Sequence, residues 1–321
     1  MKKVLSVACA LCMTTAMLTG CGSSNNAGTA ATGEAQNSAA ASTTTEQAST
    51  ATDAGTTLIA LITMDSLDQH WVTLNEGAQK AAAELGVTVQ FMAPNTKDDA
   101  QQIECVNNAV SAGAQAIIVA ANGPDAISSV KLIYVDSPAN VSAEATFSTD
   151  NNAAGKTAGE EMKKALADAG VTSGSIGIIN VNAATDSCVM REEGFRSAFE
   201  GTDFELLETQ YGEGDAAKSQ SIAENYITQG VVGIFGCNEG STTGAGNAIK
   251  ASGKDNVIGV GFDKSDAILG LIDDGYLLCT MAQNPDVMGY EGVKAAVKAI
   301  NGESLGGAVT DTGVSVLTKQ Q

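Results

Sequence analysis

Residues 58–77 read LIALITMDSLDQHWVTLNEG. Residues 58–62 form an unbroken apolar run between polar neighbours, with the length and β-branched content of a strand buried on both faces. From Gln69 onward, Trp71, Leu74 and Ala78 recur at helical spacing, which predicts an amphipathic helix. Between them lies a polar turn, Asp65-Ser66-Leu67-Asp68, in which Asp68 suits a helix N-cap. In open α/β sheets ligands bind beyond the carboxyl ends of the strands, and the loop 64–71 stands there. It holds the chain's single His (His70) and single Trp (Trp71) beside two carboxylates. A flat ring next to carboxylates suits a polyhydroxylated ligand, whose C–H faces stack while its hydroxyls donate. The same residues are also consistent with Trp71 in the core and His70 on the surface.

The remaining composition narrows the classes. Among 321 residues, 37 are acidic and 17 basic, a formal charge of −20. A nucleic-acid binder shows the opposite balance, so the acid excess reads as a solvated surface. At the N-terminus Lys2 and Lys3 precede a short apolar stretch, residues 4–18, too brief to span a bilayer comfortably. It ends in Leu18-Thr19-Gly20-Cys21, which resembles a bacterial lipobox. The expectation is a signal peptide over residues 1–20, removal before Cys21, and a diacylated Cys21 holding the protein to the outer face of the cell membrane. An ordinary signal peptide with a chance Cys is the competing reading. Residues 22–55 are rich in Ala, Ser, Thr and Gly and cannot bury a core, so residues 21–55 read as a flexible tether. Some thirty such residues would hold the domain roughly 30 Å from its anchor. Cys105, Cys188, Cys237 and Cys279 show no CxxC pairing and no metal-ligand spacing, and each reads as a small buried hydrophobe. No metal and no cofactor is expected.

Beyond residue 56, strand-like and helix-like segments alternate to the end of the chain. Repeated βα units imply parallel sheets with helices on both faces. There are too many strands for one sheet and the pattern restarts near residue 150, so two similar α/β domains are expected. One long helix, from Asn152, is interrupted in pattern by Gly155 and Gly159. The polar residues at strand ends carry the chemistry: Asp65 and Asp68, Asp136, Asp150 and Asn151, Asp186 and Arg191, Asp215, Asn238 and Glu239, Asp263, and Gln283. Helix capping accounts for about half of them. It does not account for Arg191, one of only two Arg in the chain, whose planar fork donates in ways that Lys cannot.

At this point the mature chain resembles the periplasmic sugar-binding proteins of the ribose/galactose type, the solute-binding components of ABC importers. The stretches that carry the resemblance are HWVTLNEGAQKAAAELG, VDSPANVSAEATFSTDNNAAGKTAGE, MREEGFRSAF, GIFGCNEGSTTGAGNAIKASGK, VGFDKSDAI and TMAQNPDVMGYEGVKAA. The resemblance implies two Rossmann-like lobes joined by a hinge. The first would comprise residues 56–148 and 284–309, the second residues 149–283 and 310–321. Crossovers are expected near residues 146–149, 281–284 and 308–312. It implies ligand contacts from Asp68, His70, Trp71, Asp136, Arg191, Asp215, Asn238, Asp263 and Gln283. The chain departs from the ribose-binding pattern at His70-Trp71, where two aromatics are usual, and at Ser137, where an Arg is usual. It also departs in the 211–215 loop, which lacks the usual aromatic. A pocket different from that for ribose is therefore expected.

The expected function is capture of a small polar solute, a sugar or polyol, by a monomer that delivers it to an ABC permease. The acid excess leaves an amine-bearing ligand open. A sensor that presents its ligand to a chemoreceptor or kinase is the alternative. An enzyme is not expected: no nucleophile–base set, P-loop or metal cluster is present. One segment departs from the resemblance. Only eleven residues, 121–131, separate the strands near 114–120 and 132–135, whereas a parallel crossover usually needs a dozen or more. Either an uncovered sheet face or a displaced strand is expected there, the latter moving Asp136 from the cleft.

Overall fold

The computed structural model describes residues 57–123 and 130–319. The expected signal peptide, the expected lipidation site Cys21, the expected tether and the middle of the 121–131 crossover lie outside the described residues.

The first βα unit forms as its pattern predicts. Strand β1 (Leu58–Ile62) leads through the Asp65–Asp68 turn into helix α1 (Gln69–Leu85). Helix α1 ends where Gly86, at φ 68°, takes the left-handed turn that glycine adopts without penalty. Then follow β2 (Thr88–Met92), α2 (Asp99–Ser111), β3 (Ala116–Val119), β4 (Lys131–Val135) and β5 (Ala145–Ser148). The second half runs α3 (Asn151–Asp168), β6 (Ser173–Asn180), α4 (Asp186–Ala198), β7 (Asp203–Leu206) and β8 (Gln210–Tyr211). It continues with α5 (Ala216–Gln229), β9 (Gly233–Gly236), α6 (Glu239–Ser252), β10 (Ile258–Phe262), α7 (Asp266–Asp273) and β11 (Cys279–Gln283). Last come α8 (Pro285–Ile300), β12 (Ala308–Asp311) and β13 (Val314–Thr318).

Two sheets result. The first has the order β12-β5-β4-β3-β1-β2, with every pair parallel. The second has the order β13-β11-β10-β9-β6-β7, parallel except for β13, which returns antiparallel along β11. The two short stretches at the C-terminal end are thus divided between the sheets: β12 extends the first beside β5 and β13 caps the second. The chain passes between the sheets after β5, after β11 and after β12. In each sheet the order reverses at its first strand, β1 or β6, and the crevice outside such a switch point is where ligands bind in this architecture.

Alternation along each strand feeds a core on either face. Ile59 and Leu61 join the layer under α1 and α8, while Ala60 and Ile62 join that under α2. In the second sheet Ile176 and Ile178 face α3 and α4, and Ile179 and Ile234 face α5 and α6. Gly155 and Gly159 do not interrupt α3, which is continuous. They are contact points instead. A Cβ on Gly155 would stand 2.0 Å from the Arg191 carbonyl oxygen, and one on Gly194 would stand 2.0 Å from that of Asn152. Helices α3 and α4 therefore approach backbone to backbone, and this contact sets the height of Arg191.

Strand β4 is not displaced. It pairs with β3 from Ala116↔Lys131 to Val119↔Tyr134 and with β5 on its other side. Leu132 and Tyr134 are buried with Val106 and Ala109 of α2, so these residues of the β4 face are covered. The expectation that a short crossover removes Asp136 from the cleft fails because the strand ladders on both sides fix the register.

Candidate functional site

Two carboxylates anchor the site, and the fold places them alike. Asp136 follows β4 and Asp263 follows β10. The N–H of each is held by the next strand, Asp136 by Phe147 O at 2.9 Å and Asp263 by Met281 O at 2.9 Å. Both have positive φ, 60° and 74°. Left-handed backbone at a residue with a side chain costs of order 1–3 kcal/mol and persists where the surroundings over-determine it. At Asp136 the N–H of Ser137 closes a γ-turn onto Val135 O at 2.7 Å. The strain turns both side chains off the strand direction and into the crevice.

His70, in the first turn of α1, lies between them. Its Nε2 stands 3.2 Å from Asp136 Oδ2, an ion-pair contact too poorly aligned for a hydrogen bond, and its Nδ1 stands 3.5 Å from Asp263 Oδ1. Burial pushes the imidazole pKa down, but the flanking carboxylates overrule it and hold the pKa above the ordinary value. Asp136 moves the opposite way: burial raises it, and His70 and Arg191 bring it below the usual carboxylate range. Trp71 packs edge-on against His70, ring centroids 4.6 Å apart. It is buried in the core layer, and it also lines the central cavity, where its Nε1 has no hydrogen-bond partner. The two readings open from the sequence are thus both partly met for Trp71, whereas His70 is buried rather than on the surface.

Arg191 is almost fully enclosed at 2% exposure. Its Nε donates to Asn151 Oδ1 at 2.8 Å, its Nη1 donates to Cys237 O at 3.1 Å, and its Cζ lies 4.4 Å from the Phe262 ring centroid. Those contacts leave Nη2 free of hydrogen bonds, 3.6 Å from Asp136 Oδ2. Gln283, at the end of β11, donates to Asp263 Oδ1 at 2.6 Å while its own oxygen accepts from Thr149 at 2.9 Å. Asn238 caps α6, its oxygen accepting from Ser241 N at 3.1 Å, and lines the cavity. Asp68 lies at the cavity edge, where Lys97 donates to it at 2.9 Å. The fold thus brings together eight of the nine residues that the resemblance implies. Asp215 stays apart: it is exposed, caps α5 by accepting from Lys218 N at 2.7 Å, and lines only the outer mouth of the cleft.

Three contributors were not singled out as ligand contacts from the sequence. Lys97, in the loop after β2, is paired with Asp65 and Asp68 and holds its proton more firmly than a free lysine because of them. Its place after a strand end was the available signal. Asn122, after β3, donates to Met64 O at 3.2 Å and accepts through its main-chain oxygen from Thr185 of the second lobe at 2.9 Å. Glu239, noted as a strand-end polar residue, crosses the cleft. Its carboxylate accepts the N–H groups of Gln69 and His70 at 3.1 and 3.2 Å, a carboxylate at the N-terminus of α1. Burial, with Asp68 and Asp263 nearby, pushes its pKa up to about 7.

The central cavity among these side chains measures about 20 Å³, room for about one water molecule. His70 and Trp71 are among the side chains that wall it. The cleft mouth outside it measures about 900 Å³ and a hollow on the hinge side, walled by His70 and Gln283, about 330 Å³. No group of His, Cys, Asp or Glu among the described residues is arranged to hold a metal ion. Cys188, Cys237 and Cys279 are buried and none of the four described cysteines is in a disulfide.

Comparison with known proteins identifies the fold. The periplasmic binding protein domain matches residues 59–304. The ribose import binding protein RbsB of Haemophilus influenzae is 29% identical over 269 residues, covering 80% of this chain and 89% of that protein. A carbohydrate transporter solute-binding protein from Agrobacterium radiobacter, solved with D-arabinose, is 28% identical with a TM-score of 0.79, covering 83% of this chain and 96% of that one. A solute-binding protein from Agrobacterium vitis, solved with D-fucose, is 28% identical with a TM-score of 0.76, covering 82% and 96%.

Proposed function

The chain belongs to the periplasmic binding protein family, a family of binding proteins rather than enzymes, and we propose that it is an exported, lipid-anchored monomer that captures a monosaccharide or polyol and delivers it to an ABC permease. The observation that carries the reading is the pairing of Asp136 and Asp263 across the cleft, with the free Nη2 of Arg191 and the free Nε1 of Trp71 beside them. Carboxylates accept ligand hydroxyls, the two N–H groups donate to ligand oxygens, and the Trp71 ring offers a stacking plane. The names of the relatives point the same way, since the proteins they describe bind ribose, D-arabinose or D-fucose.

Closure supplies the affinity in this account. The first lobe contributes Asp68, His70, Trp71 and Asp136, and the second Arg191, Asn238, Asp263 and Gln283. A ligand that satisfies both halves favours the closed arrangement over the open one by the difference in its contacts. The test is a thermal-shift panel of pentoses, hexoses and polyols on the purified protein. A ligand present at a hundred times its Kd stabilises by about 2.7 kcal/mol, enough to raise the melting temperature visibly. If no member of the panel shifts the transition, the reading fails. For the anchor, Cys21→Ser should release the protein into solution or leave an uncleaved precursor. A mature-sized mutant that still fractionates with membranes would rule the anchor out. If deleting the permease leaves uptake intact and abolishes a ligand response instead, the protein serves a receptor rather than an importer.

A further inference from the structure

The closed cleft holds more negative charge than a neutral sugar can use. Asp65, Asp68, Asp136, Asp263 and Glu239 line the central cavity or its mouth. Lys97 is taken by Asp65 and Asp68, while Arg191 lies against Asp136 and His70 lies against Asp136 and Asp263. Among the described residues no cationic side chain stands within ion-pair distance of Glu239, which is held only by the N–H groups of Gln69 and His70. Glu239 lines the mouth, half-buried, with Asp68 and Asp263 near it and, among the described residues, no cationic side chain of its own to offset the charge. Burial and the neighbouring Asp68 and Asp263 push the Glu239 carboxyl above the ordinary carboxylate range. The one side chain that fills the centre, His70, is itself held toward its charged form between two carboxylates.

A second observation concerns donors. Arg191 Nη2 and Trp71 Nε1 belong to side chains 2% and 4% exposed, line the same cavity, and have no hydrogen-bond partner. They call for acceptor oxygens on a ligand. The carboxylates, in contrast, are not gathered closely enough among the described residues to hold a metal ion. A positive charge on an organic frame that also brings oxygens would meet both observations.

We propose that the ligand is an amino sugar or amino polyol, its ammonium group seated by Glu239 with Asp68 and Asp263, and its oxygens met by Arg191 and Trp71. The proposal rests on the sugar-binding reading and narrows it. The ammonium supplies the countercharge that Glu239 lacks and takes the place of the imidazole edge that His70 presents to Asp263. Asp136 remains to accept a hydroxyl.

The test is calorimetric titration of the purified protein at pH 7 with matched pairs: D-glucosamine and D-glucose, D-galactosamine and D-galactose, D-glucamine and D-glucitol. The N-acetyl form of each amine serves as an uncharged control of similar shape. The expected result is at least one amine that binds roughly 10- to 100-fold more tightly than its neutral parent and its N-acetyl form. Glu239→Gln, checked for an unchanged fold by circular dichroism, should narrow that ratio toward one, and Glu239→Asp should restore part of it. If a neutral sugar binds as tightly as its amine or more so, the amine proposal is overturned while sugar binding stands. If neither class binds, both readings fall.

Discussion

Gly155→Ala is the substitution whose effect the structure fixes most closely. The added Cβ would meet Arg191 O at 2.0 Å, Arg191 C at 2.7 Å and Arg191 Cα at 2.9 Å. All three are backbone atoms, so no side chain can rotate away. To restore ordinary contact, α3 and α4 must separate by more than 1 Å, on the order of a third of a carbon–carbon contact distance. Arg191 rides on α4, and its hydrogen bonds of 2.8 and 3.1 Å to Asn151 and Cys237 tolerate no such shift. Overpacking of this kind costs about 1–3 kcal/mol of stability. A misplacement near 1 Å in a positioned group costs about a hundredfold in function. Gly155→Ala should therefore lower the melting temperature by several degrees and weaken binding of whichever sugar or amino sugar the screens identify by roughly 10- to 100-fold. Gly270→Ala is the control: a Cβ there meets nothing within 4 Å, and in helix α7 alanine is favoured over glycine by up to about 1 kcal/mol. Both proteins are compared by differential scanning calorimetry and by titration. If Gly155→Ala behaves like Gly270→Ala in both assays, the claim that helix contact sets the height of Arg191 is wrong.

Two further outcomes follow from the buried groups. His70 has a raised pKa, so its stabilising contribution is complete below the unfolded value of about 6.5 and is lost as pH rises through the folded value. Glu239 acts in the same sense, its folded pKa of about 7 standing above the ordinary 4.5. The protein without added ligand should therefore melt a few degrees higher at pH 6 than at pH 8.5. Glu239→Gln should flatten the profile, and an opposite slope would contradict the charge assignments. For the thiols, burial pushes Cys188 up to about 11 and Cys279 up to about 12, and Cys237 is also raised. Only the half-buried Cys105, of the four described cysteines, should react with iodoacetamide in the native state, and mass spectrometry showing early modification at Cys188 or Cys279 would refute that burial.

The sequence made the architecture legible where pattern and topology coincide. The apolar run before Asp65, the helical spacing of Trp71, Leu74 and Ala78, and the restart near residue 150 specify paired α/β units without reference to packing. Strand-end chemistry was equally visible, because a carboxylate or amide after a parallel strand stands in the crevice wherever the sheet order reverses. What pattern could not show was the partner of each group. Asp215 and Asn238 are both caps in sequence, yet only Asn238 lines the buried cavity, because α6 starts at the switch point and α5 at the rim. Glu239 gained its place by reaching the N-terminus of α1 from the other lobe, a contact 169 and 170 residues away in sequence. The left-handed backbone at Asp136 and Asp263 is signalled only weakly, because Asp tolerates that region but adopts it in few places. Gly155 looked like a helix breaker because its sequence neighbourhood cannot reveal Arg191 on its far side.

The central claim is that a polyhydroxylated ligand is bound between the lobes against Trp71 and the two strand-end carboxylates. Trp71 is the only tryptophan in the chain, so its emission reports that place alone. A ligand identified by thermal shift should change the Trp71 emission saturably, with the same Kd that calorimetry gives. Asp136→Asn with Asp263→Asn should abolish both signals in a protein that still folds. A ligand that stabilises the protein while leaving Trp71 emission unchanged, or that binds the double variant undiminished, would show that binding occurs elsewhere.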